Sequence, residues 1–252
     1  MNIGFFGDSY VDVFLYDSLT NQRSWSYKLL EDFSSAIISS GNAGTSQFHA
    51  IQEWSNFLNS GKHIDVAIWT FTWDNRLYSP YPINQIIFSA AAEQRQEYVK
   101  QIYKDININN PKDPDIVNNL LFAHEYYLHY IYNESYNQFI HSLMIKWILE
   151  LPNQYPDTKF IFIPNTEFSN TVSKQFFKTG VLLDFAFETL SNLEPESPGP
   201  MPINCGRVGH INGNNITIFK DLVKEILTNY SNYQNNIYKV DYNKFDIKQV
   251  IC

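Results

Sequence analysis

Cysteine is close to absent: Cys205 and Cys252 are the two in 252 residues. Two thiols build neither a disulfide framework nor, by themselves, a thiolate metal site, so a reducing compartment is expected. Long apolar runs are missing as well. No stretch approaches the ~18–20 residues of a membrane span, which argues against a membrane partner. No basic segment and apolar core precede Gly7-Asp8-Ser9, so no secretory leader is expected. The expected location is cytoplasmic, or virion or host cytoplasm if the gene is a phage's. Positive charge is in deficit, with 18 Lys and Arg against 26 Asp and Glu, a net charge of −8 and a pI near 5.2. That balance argues against a general nucleic-acid binder. No block of like charges suggests a tail or a membrane patch, and no internal repeat is visible.

Several familiar motifs are missing too. Gly7 lacks the partners of a dinucleotide-binding loop and the lysine of a phosphate-binding loop. Ser9 is not embedded in Gly-x-Ser-x-Gly. His124 and His129 flank a zinc-like Glu125, but five residues put them about 140° apart around a helix, whereas His-Glu-x-x-His places both on one face. His49, His63 and His141 show no ligand spacing, so no metal and no cofactor are expected.

What is present is apolar and aromatic: 44% hydrophobic residues, 16% of all residues being Phe, Trp or Tyr. This suffices for a large core in a single domain over residues 1–252. The abundance of Asn, Ile and Tyr fits an AT-rich genome such as a phage's. Ile3-Gly4-Phe5-Phe6 has the length and bulk of a buried parallel strand. It breaks into Gly7-Asp8-Ser9, a turn that leaves a hydroxyl at the carboxyl end of that strand, the edge where α/β proteins gather ligands.

Downstream, residues 24–33 place Trp25, Leu29 and Phe33 on one helical face, with Ser24 as N-cap. A short β-like run at 36–38 leads into the loop Ser40-Gly41-Asn42-Ala43-Gly44-Thr45-Ser46-Gln47. A helix through Ile51, Trp54 and Leu58 stops at Gly61, and residues 64–69 form the clearest buried strand. Further strands are expected at 159–164 and 181–185, and a strongly periodic helix through Ile218, Leu222, Ile226 and Leu227. Between the third and fourth strands, residues 76–136 read as a helical insertion, with helices at 90–103 and 116–132 and a loop at 107–114. A further helix is expected over 136–151. The insertion would serve as a lid over the site or as a layer covering the sheet. Residues 194–202 read as a Pro-rich loop, and residues 230–252 as a polar, Tyr-rich tail with no clear period. Alternating strands and helices predict a three-layer α/β domain with a mainly parallel sheet.

The opening strand followed by Gly7-Asp8-Ser9 resembles block I of the SGNH (GDSL-type) hydrolases, whose nucleophilic serine follows Gly-Asp. The resemblance implies a flavodoxin-like SGNH hydrolase fold, Ser9 as nucleophile and a distant membership, possible for a phage-encoded protein. Block II of that family supplies a main-chain N–H to the oxyanion hole. Asn42-Ala43-Gly44-Thr45-Ser46-Gln47 is similar to it, with Gln47 in the donor position and Gly44 the glycine within the loop. Block III contributes an Asn side chain. Here Thr72-Trp73-Asp74-Asn75 sets Asp74 in the donor slot without a gap, and Asn75 with a shift of one residue. An ionised carboxylate offers no donor, so Asn75 is favoured on chemistry. Block V is Asp-x-x-His before the last helix; His210 matches, while Arg207 stands where the acid would be. The imidazole is then oriented by a backbone carbonyl, by a carboxylate such as Asp184 or Glu194, or by nothing, as a Ser9–His210 dyad. Asp8 and Asp74 are further candidate supporting residues.

The activity implied is metal-independent hydrolysis of a small-molecule or glycan ester, such as an O-acetyl group on a carbohydrate. The competing expectation is a catalytically impaired binding or virion-associated module on the same fold, motivated by Asp74 and Arg207. Oligomeric state is not legible.

Overall fold

The computed structural model describes residues 1–14, 16–17, 22–41, 46–72, 74, 122, 126, 130–165, 167–185, 211 and 213–245, without the side chains of residues 9, 16, 17 and 167. Six strands make the main sheet: β1 (Asn2–Phe6), β4 (Ala36–Ser39), β5 (Val66–Phe71), β6 (Lys159–Pro164), β7 (Val181–Asp184) and β8 (Asn236–Lys239). Their order is β4-β1-β5-β6-β7-β8 and every pairing is parallel, consistent with a flavodoxin-like fold. A two-stranded antiparallel ribbon, β2 (Tyr16–Asp17) and β3 (Gln22–Arg23), stands apart.

The central strands are apolar throughout because helices cover both faces. On one face lie α1 (Trp25–Phe33) and α6 (Gly213–Thr228), which share a core with Phe5, Ile68, Ile163 and Leu183. On the other lie α2 (Gln47–Asn59), α3 (Glu134–Leu149) and α5 (Glu167–Phe176), packed on Phe6, Trp69, Phe71 and Phe162. The short α4 (Leu151–Gln154) carries Pro152 in its first turn, where a missing N–H costs nothing. Trp54 anchors the second face, its ring 5.1 Å from Phe6, 5.9 Å from Trp69 and 5.8 Å from Phe160. Each such pair is worth about 0.5–1.5 kcal/mol beyond simple burial.

Helix ends follow local chemistry. The Ser24 hydroxyl accepts from the Tyr27 N–H at 3.2 Å and Asn133 caps α3 through the Tyr136 N–H at 2.8 Å. Three expectations are corrected. The inner face of α2 is Gln47, Ala50, Trp54 and Phe57, while Leu58 is exposed, because the helix is rotated to bring Gln47 over the sheet edge. The third strand starts at Val66 and continues through Phe71, past the expected 64–69. Residues 230–245, expected as a polar tail with no clear period, carry regular structure: a short helix, α7 (Tyr230–Tyr233), then β8 at the sheet edge, then Phe245 buried against Phe185. Most of the expected insertion and the loop at 194–202 lie outside the described residues. Among the described residues no helix is long and apolar enough to cross a membrane.

Candidate functional site

After β1 the chain passes to α1 on one face and after β4 to α2 on the other, and α3, the next long helix among the described residues after β5, lies on the same face as α2. The strand order therefore reverses at β1, and in parallel sheets of this kind ligands gather at the carboxyl end of such a strand. Gly7-Asp8-Ser9 stands there. Gly7 has φ +149°, a backbone conformation side chains rarely adopt, and a Cβ on it would overlap the Thr70 hydroxyl. Ser9 begins a single 3-10 turn, Ser9–Val11; its hydroxyl lies outside the described atoms. Asp8 is fully buried and its Oδ1 accepts from the Tyr10 N–H at 3.1 Å, so the carboxylate shapes the turn that presents Ser9.

That turn is held from three more directions. The Trp25 indole donates to the Tyr10 carbonyl at 2.7 Å. The Ser40 hydroxyl accepts from the Val13 N–H at 3.1 Å. Gly41, two residues past the end of β4, lies so close to the turn that a Cβ would collide with the Asp8 carbonyl and with Val11 at 2.6 Å. Sequence reading passed over Gly41, although a glycine closing a strand before a loop is the available signal of such an approach.

Residues 42–45, including Gly44, lie outside the described residues. The loop resumes at Ser46 and Gln47, both buried, where α2 begins. Ser46 does not cap the helix; its hydroxyl is buried with no hydrogen-bond partner among the described residues. The start of this 13-residue helix brings the positive end of a helix dipole to this edge, and the His49 N–H there donates to the Ser46 carbonyl at 3.1 Å. The Gln47 side chain reaches the end of β5, where its Oε1 accepts from the Thr72 N–H at 2.9 Å. That bond fixes the amide's orientation and leaves Nε2 as a buried donor with no partner among the described residues.

On the far side of β5, His141 of α3 donates from Nε2 to the Thr72 carbonyl at 2.8 Å, and Ser169 of α5 donates to the same oxygen at 3.3 Å. A histidine donating from Nε2 is neutral when Nδ1 is a bare acceptor, and Nδ1 here is buried without a partner among the described residues. Burial pushes the imidazole down to about 4, against the Asp74 carboxylate and the Thr72 carbonyl, which both raise it. Asp74 is half-buried and lies within electrostatic reach of His141. The position of His141 four residues before Ile145, on the inner face of α3, was the signal for this role.

The His141 shift has a stability consequence. The unfolded chain takes up a proton near pH 6.5, the folded chain only near 4. Between those values the unfolded state holds more protons, so stability rises with pH there and is lost as pH falls. Urea unfolding at successive pH values should show a loss on the order of 3 kcal/mol between pH 6.5 and 4. His141→Gln, which cannot titrate, should flatten that slope; an unchanged slope would remove His141 as its source.

Asn165, the residue after β6, is fully buried, and neither amide atom has a partner among the described residues. It follows Pro164, the register partner of Phe71, so it stands beside the β5 end. Asp184 is committed elsewhere. Lys174 lies 2.6 Å from its Oδ1 and Asn170 donates to it at 3.3 Å. Burial alone would raise this carboxyl, but Lys174, Asn170 and Lys239 together hold it below the ordinary value. Both partners come from α5, while His210, the histidine that Asp184 was a candidate to orient, lies outside the described residues. Asn75, His124, His129, Glu194, Arg207, His210, Cys205 and Cys252 lie outside the described residues. Among the described residues no three His, Cys, Asp or Glu side chains are grouped to hold a metal ion. In comparisons with known proteins the chain matches no protein-family model, no curated protein and no solved structure.

Proposed function

We propose that this chain is a serine ester hydrolase of SGNH type, with Ser9 as nucleophile and His210 as general base and acid. The observation that carries the reading is the Gly7-Asp8-Ser9 turn at the carboxyl end of β1, braced by Asp8, Trp25, Ser40 and Gly41. A serine on a rigid turn at the carboxyl end of a parallel strand suits acyl transfer. Ser9 Oγ would attack the ester carbonyl carbon while His210 takes its proton. Collapse would return that proton to the departing alcohol and leave an acyl-serine, which water then hydrolyses. The N–H groups of Ser9 and of Gln47 or Gly44, with the Asn75 amide, would hold the oxyanion. No metal enters this scheme. The substrate class proposed is a small or glycan ester, such as an O-acetylated sugar.

A fluorophosphonate probe tests the reading directly. Labelling at Ser9, abolished in His210→Ala, is the expected result. A folded protein that takes no label would favour the second reading, a binding or virion-associated module, which Arg207 in the acid position and the engagement of Asp184 with Lys174 both support.

The two candidates for the third donor make opposite demands. If Asn75 donates, Asn75→Ala should lower kcat on an aryl acetate by about 10²–10³ with little change in KM. Asp74→Asn should then be near neutral, in keeping with an Asp74 charge felt by His141 on the α3 side. Activity rising in Asp74→Asn while Asn75→Ala stays unchanged would transfer the assignment to position 74.

A further inference from the structure

We infer that Gln47, His141 and Ser169 are positioning residues that hold the backbone of Thr72, the residue from which the sequence runs into the proposed third oxyanion donor; this rests on the esterase reading above. Strand pairing between β5 and β6 ends at Phe71 and Pro164. Thr72 is therefore the first residue beyond the ladder, where water or the next turn ordinarily satisfies the backbone. Instead its N–H is taken by Gln47 from α2, and its carbonyl by His141 from α3 and Ser169 from α5.

The N–H and carbonyl of one residue belong to two successive peptide planes. Holding both fixes φ and ψ at Thr72, and with them the course of the chain that follows. Asn75 follows Thr72 by three positions in the sequence, so freeing Thr72 would let the proposed donor shift by an amount on the order of 1 Å. An error of that size costs a catalytic arrangement about 10²-fold.

The three holders are all at least 98% buried, an expensive place for polar side chains. Gln47 adds a second link. Its main chain lies at the start of α2, where the sequence reading places one oxyanion donor, while its side chain grips the strand that leads to the other. One residue thereby ties the two donor loops together.

The test uses the full chain, an aryl acetate and the fluorophosphonate probe. His141→Leu removes the donor to the Thr72 carbonyl, whereas His141→Gln retains an N–H of similar reach. The expected result is a kcat lowered about 10²-fold in His141→Leu with KM close to wild type, Ser9 labelling slowed in parallel, and substantial recovery in His141→Gln. If His141→Leu does not fold, Ser169→Ala and Gln47→Met read the same quantity, and each should lower kcat with KM retained. A folded variant set with wild-type kcat, or His141→Gln as impaired as His141→Leu, overturns the positioning role while leaving the esterase standing. A wild-type protein that neither hydrolyses the ester nor takes the label removes the esterase reading and this inference with it.

Discussion

Replacing Ser9 with alanine is expected to lower kcat/KM on an aryl acetate by at least about 10⁴-fold, with the melting temperature moved by no more than about 2 °C. The two halves of that result have separate causes. Loss of the hydroxyl removes the nucleophile, and what remains is whatever the oxyanion donors give to attack by water. Stability is spared because the turn is held by its neighbours: the Asp8 carboxylate on the Tyr10 N–H, the Trp25 indole on the Tyr10 carbonyl and the Val11 N–H on the Asp8 carbonyl at 3.2 Å. None of these bonds uses the Ser9 side chain. Steady-state kinetics with thermal melts of both proteins check it. Hydrolysis persisting at the wild-type rate in Ser9→Ala would place the reaction elsewhere in the chain.

Gly7→Ala is expected to destabilise the protein by about 4 kcal/mol or prevent folding. Two penalties coincide there. The backbone at φ +149° is one that L side chains rarely adopt, and the new Cβ would overlap the Thr70 hydroxyl and lie 3.0 Å from the Thr70 carbonyl. The penalties are separable. Thr70→Ala in the same chain removes the hydroxyl but neither the carbonyl contact nor the backbone strain, so the double variant should recover part of the loss. Denaturant unfolding of the two single variants and the double variant measures this. Full recovery would mean that the backbone at Gly7 relaxes freely; no recovery would mean that the loss comes from backbone strain and the Thr70 carbonyl contact, not from the hydroxyl.

Legibility from sequence followed the degree of burial. The strand Lys159–Pro164 and the Ser24 cap of α1 are where the pattern puts them, because a strand covered on both faces is a continuous apolar run and a cap is a local event. The helix Glu167–Phe176 carries no such mark. Its inward side is Ser169, Val172 and Ser173, two of them hydroxyls, so the apolar period is broken where the helix meets the sheet. Strand β8 was hidden for a related reason: Asn-Ile-Tyr-Lys at a sheet edge is half-exposed and polar. In the site, Gly7-Asp8-Ser9 was legible as a motif because its chemistry is local. The side-chain grip on Thr72 was not, since Gln47, His141 and Ser169 are separated from it by 25, 69 and 97 residues. No spacing rule connects positions that only a completed sheet brings together.

The late position of β8 bears on how the chain emerges from the ribosome. Five strands have been made by Asp184, and at that point Val181-Leu182-Leu183 is a bare, fully apolar sheet edge. Its cover, Asn236–Lys239, is synthesised only after α6. The Phe160 backbone also waits: its N–H donates to the Tyr230 hydroxyl at 2.9 Å and its carbonyl accepts from that hydroxyl at 3.2 Å, so one side chain occupies a place beside β6 that no strand fills. At about 5–20 residues per second the interval lasts a few seconds, during which the nascent sheet presents a sticky template to other chains. A premature stop before Tyr230 would make that interval permanent, and its product would be a substrate for chaperones and proteases in place of a smaller working domain.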